Sequence, residues 1–201
     1  GSKNQKNRRA TSLVSSLQSG FRGLASTILR SYQLARSNDV VVLVVMMGLA
    51  QHFAVQAPSM QWQPFLHQHL PRERELGVVF AGSMLMQLLG AWLAPRVLRY
   101  VRNEQKTLAL TQVVFGVGIA LTTLWSNLTL ILLFFALYQL ARGMYLPLKH
   151  AYLNHHIPSA ERATLISFEA LSHHIGGMAG LLVAGLLGQY VSMTCAWVIM
   201  G

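Results

Sequence analysis

Long apolar stretches separated by short polar links constrain this chain more than any other feature. The first begins at Val40 (VVVLVVMMGLAQHFAVQ) and continues through Pro58 toward Phe65. Others run from Leu76 to Pro95, Thr107 to Trp125, Leu128 to Leu148 and Ala163 to Tyr190. A helix needs roughly 20 mostly apolar residues to cross the hydrocarbon core of a bilayer. Backbone amides in that core find no water, so each run is expected to satisfy them internally, as a helix. Residues 39–201 therefore read as five full spans followed by a sixth run from Ser192 to Gly201. That last run would rise only about 14 Å, too little to cross, and is read as a truncated helix.

Composition agrees. Hydrophobic residues make up 53% of the 201, and charged residues only 11%, against about 25% in soluble domains. The net charge of +10 would suit nucleic acid if it formed one patch. It lies instead in short blocks between the apolar runs, as membrane topology requires, so nucleic acid is not an expected partner. The one cysteine, Cys195, rules out an internal disulfide, and no zinc or redox spacing is present. No nucleophile–base arrangement, phosphate loop or carboxylate pair appears. Neither an enzyme nor a metal or cofactor site is expected.

The distribution of Lys and Arg sets an orientation. Seven lie before the first span, four (Arg96, Arg99, Arg102, Lys106) after the second, and Lys149 and Arg162 after the fourth. The other side carries only Arg72 and Arg74, with Arg142 left inside a span. The positive-inside rule then makes the amino terminus cytoplasmic. Short loops and the single cysteine suggest a bacterial inner membrane. Gly1-Ser2 reads as a cloning remnant, and no cleavable signal peptide is visible in the polar, basic residues 1–38. Within them, Leu13, Leu17, Phe21, Leu24, Ile28 and Tyr32 recur at steps of three and four opposite serines and arginines. That spacing predicts an amphipathic cytoplasmic helix. A linker packed on the span ends is favoured over a helix lying on the leaflet, though both can hold.

Residues 142–167 carry a more specific signal. Arg142-Gly143, Pro147, Tyr152-Leu153-Asn154, Ile157-Pro158-Ser159, Arg162-Ala163-Thr164 and Ser167 resemble the link between the tenth and eleventh helices of major facilitator superfamily transporters. A loop of the form N-x-x-x-P-x-x-x-R-A-T-x-x-S is common there. The resemblance implies an all-α, polytopic helix bundle of that type: the carboxy-terminal half, helices seven to twelve, with residues 1–38 as the central cytoplasmic linker. It implies a bilayer, a small-molecule solute and an amino-terminal half as partners. One departure is plain. The family's eight–nine loop often reads G-x-x-x-D-R/K, whereas Gly90-Ala91-Trp92-Leu93-Ala94-Pro95-Arg96 lacks the acidic residue, which puts a charge relay there in doubt.

Polar groups inside a span need a partner or a water-filled cavity. Arg142 and Glu169 sit at similar depth on consecutive spans, which predicts an Arg142–Glu169 ion pair or network. It would be either a proton- or solute-responsive pair or a staple between helices. His173 follows Glu169 by one turn on the same face and suits proton coupling. In the first span, at most one of Gln51 and His52 is expected to face the cavity. Gln56 lies near them, and Pro58 and Pro64 are expected to interrupt the helix. Gln87, Tyr138, Gln139 and Tyr145 complete the pathway candidates, and Asn154, Pro158 and Arg162 the cytoplasmic loop motif. His155 and His156 read as solvated. The leading expectation is half of a secondary transporter for a small polar or anionic solute, with protons as the coupling ion. A transporter-like sensor, scaffold or partner-binding module is the alternative.

Overall fold

The computed structural model describes residues 39–201. The amphipathic helix expected over residues 11–36 lies outside the described residues. Among those described, all regular structure is helical.

The first apolar run forms α1 (Asp39–Ala54) and α2 (Gln56–His67). They are nearly one rod. Val55 still donates to the Gln51 carbonyl at 3.0 Å and accepts from Ser59 at 2.9 Å. The break falls where Pro58, having no N–H, leaves the Ala54 carbonyl without its helical partner. Pro64, expected to interrupt as well, sits inside α2 without breaking it.

Helix α3 spans Glu73–Val101 and α4 Glu104–Thr122. Between them Arg102 takes a left-handed conformation at φ 55°, and Asn103 caps α4 by accepting from the Lys106 N–H at 2.9 Å. This is the side-chain capping that short polar residues favour. Helix α5 runs from Leu128 to His156, eight residues past the Leu148 boundary expected from hydropathy. It stops at Ile157, whose backbone is extended (φ −116°, ψ 127°) because the following Pro158 disfavours the helical conformation. Then α6 (Ser159–Tyr190) and the short α7 (Met193–Met200) complete the described chain.

Among the described residues, four segments are long and apolar enough to cross a membrane: Asp39–His67, Glu73–Val101, Leu128–His156 and Leu165–Tyr190. Five were expected. The difference is α4, whose 19 residues open with Glu104-Gln105-Lys106 and so present a shorter apolar stretch.

Helix α5 packs along α3 and α4, while α1 packs along α6, and α7 lies against α6, α4 and α2. Glycines set the closest approaches. A side chain at Gly90 would strike the Leu140 carbonyl, and one at Gly143 the Gln87 carbonyl, so α3 and α5 touch backbone to backbone. Gly176 and Gly180 of α6 do the same against Leu49 and Phe53 of α1. Small residues permit this close packing where lipid offers no hydrophobic drive. The consecutive helices α5 and α6 barely pack on each other. A polar site occupies the space they leave.

Candidate functional site: a polar cavity between three helices

Arg142, Tyr145, Leu146 and Lys149 recur at three- and four-residue steps, which puts them on one face of α5. Together with Gln51, His52 and Val55 of α1 and His173 of α6 they border a cavity of about 190 Å³. Gln51 and His52 both border it, against the expectation that at most one would. Adjacent helical residues point about 100° apart, and the cavity wraps that edge of α1.

Behind the cavity wall lies Glu169. Its Oε1 accepts from Lys149 Nζ at 2.7 Å and also meets His173 Nε2. The Lys149 and Glu169 side chains are only 4% and 6% exposed. The His173 ring stacks on His52 with centroids 3.9 Å apart and planes at 16°. His52 Nδ1 in turn lies 3.0 Å from the Gly48 carbonyl. Gly48 makes the arrangement possible, since a Cβ there would run into the His173 ring. The Lys149 ammonium also sits 5.4 Å from the centroid of the Tyr145 ring, a cation–π distance. Two buried polar atoms at the cavity, the Tyr145 hydroxyl and Gln51 Oε1, have no hydrogen-bond partner among the described residues. Native proteins seldom leave such groups unpaired, except at sites that receive water or a ligand.

The expected Arg142–Glu169 pair is therefore corrected: Glu169 pairs with Lys149. The cause is helix length. Because α5 extends to His156, Arg142 falls at its midpoint, and Lys149, two turns further on, lies level with Glu169. Arg142 instead borders the cavity, with no ion pair or hydrogen bond among the described residues. Lys149 was counted with the cytoplasmic loops and so missed as a site residue. Its sevenfold spacing from Arg142, with Tyr145 between, was the signal that could have found it.

The other candidates scatter. Gln87 Nε2 donates to Gln139 Oε1 at 3.3 Å, joining α3 to α5. Tyr138 is buried in an aromatic core with Phe115, Phe135 and Trp197. Gln56 packs over Gly177 and Gly180 of α6. Arg162 donates to the carbonyls of Asn154 and Ile157, at 3.2 Å each, and so ties the end of α5 across Pro158 to the start of α6. His155 and His156 are not merely solvated. They belong to the last turn of α5, and both lie against the Glu104 carboxylate. A larger cavity of about 540 Å³ lies away from the charged cluster, between the Trp62–His67 turns and the start of α3. It is bordered by aromatic rings and the exposed Glu73.

Long apolar helices around a buried Lys149–Glu169 pair define a multi-pass membrane protein. The family profile of the Major Facilitator Superfamily matches residues 16–201, and the chain belongs to that superfamily of membrane transporters. No curated protein and no solved structure matches it.

Proposed function

We propose that the chain is the carboxy-terminal six-helix half of a secondary active transporter and that it moves a small anionic solute by alternating access. On this reading it rocks against an amino-terminal half across a cavity near the membrane midplane. The observation that carries it is the charge balance at the cavity. Arg142 and Lys149 supply two cations against the carboxylate of Glu169, and the Tyr145 hydroxyl, without a hydrogen-bond partner among the described residues, can donate a further hydrogen bond. Buried ionisable groups in spans are rare and mark solute or proton pathways.

The contact between Glu169 and His173 supports proton coupling, since a carboxylate and an imidazole in contact can pass a proton between them. The charge blocks of the sequence support a cytoplasmic amino terminus.

The test is uptake of small anions by the parent transporter in proteoliposomes. Arg142→Ala should lower it at least about tenfold, the scale of losing one charge-assisted contact. Uptake of every anion at the wild-type rate would contradict the reading.

A further inference from the structure

The ammonium of Lys149 stands between two claimants. On one side is Glu169, 2.7 Å away. On the other is the cavity that Lys149 itself borders beside Arg142. An ammonium has three hydrogens to donate, and Glu169 Oε1 is its one hydrogen-bond partner among the described residues. The Tyr145 ring holds it in place from within α5. Glu169 has a second partner in His173, so its carboxylate keeps a contact if Lys149 turns away.

We propose that Lys149 is the second anion contact of the cavity, and that Glu169 is its tethered counter-ion, which the solute must displace. The inference rests on the anionic-solute reading above. A carboxylate or phosphate group seated between Arg142 and Lys149 would lie close to Glu169 and be repelled by it. At an effective dielectric near 20, a charge at that range changes affinity by about tenfold or more. Glu169 thus sets how strongly charged a solute must be to win the ammonium. Because Lys149–Glu169 also bridges α5 and α6, which otherwise barely touch, the same displacement would release one helix from the other.

Calorimetric titration of the purified parent transporter with inorganic phosphate and with succinate tests this. Binding of one of them should depend on Arg142, and which one binds assigns the anion class. Glu169→Gln should tighten that binding about tenfold or more, and Lys149→Gln should weaken it by a similar factor. If Glu169→Gln does not fold, Glu169→Asp withdraws the carboxylate by one methylene, keeps the charge balance, and should tighten binding by a smaller factor. Arg142-dependent binding that is unchanged or weaker in the Glu169 variant overturns the counter-ion role alone. No Arg142-dependent binding of either probe overturns this inference together with the anionic reading.

Discussion

Gly48 carries more of the site than its size suggests. It lies opposite His173 and close to Glu169, so any side chain there displaces the imidazole from the carboxylate. Gly48→Ala should lower stability by about 1–3 kcal/mol, the usual penalty for overfilling a packed contact, seen as a reduced melting midpoint in detergent. An unchanged midpoint would mean that α1 and α6 can part without loss. Residue-level reading of the sequence reached Glu169, His173, His52 and Gln51, because a polar side chain inside an apolar run stands out against its neighbours. It missed Lys149 because the stretch after Pro147 mixes Lys, His and Asn with Tyr and Leu and reads as a loop. In the structure those residues continue α5 for two more turns, with Leu148, Tyr152 and Leu153 buried and His150 and Asn154 exposed. A local hydropathy average cannot see that alternation.

At the scale of elements, α3 and α5 meet backbone to backbone at Gly90 and Gly143. Gly143→Leu would drive a side chain into the Gln87 backbone and pull Gln87 from Gln139. It should cost at least about 1–3 kcal/mol and be read as early unfolding in a thermal melt. A stable Gly143→Leu protein would contradict backbone contact there. The apolar runs made the existence of these helices legible, but not their ends. Caps and prolines decide those: Asn127 caps α5 through the Thr129 and Leu130 N–H groups, whereas Pro95 and Pro147 lie inside helices without ending them. Pairing was only partly legible. Gly176 and Gly180 of α6 meet α1, yet Gly185 of the same helix faces open space. Spacing along one helix does not say which neighbour fills the groove.

Across the whole molecule, the sequence conveyed a polytopic helical bundle and its superfamily, because span length and the loop motif at 154–167 are local signals. The arrangement around the cavity was not legible, since it depends on α1 meeting α6 from the far end of the chain. The charge tally that orients the chain also changes, as Lys149 is a buried partner of Glu169 and not a loop cation. The account stands or falls on whether the space beside Arg142 is aqueous. Leu146 borders the cavity and is 53% exposed. Leu137, nine residues earlier, is about two and a half turns away and so on the opposite face of α5. It is 37% exposed, and on this account it faces lipid. The most direct measurement places a single cysteine at each position in a cysteine-free parent transporter and times its reaction with a membrane-impermeant thiol reagent. The account predicts fast modification of Leu146→Cys and little of Leu137→Cys. Equal reactivity at the two positions, or none at Leu146→Cys, would contradict it.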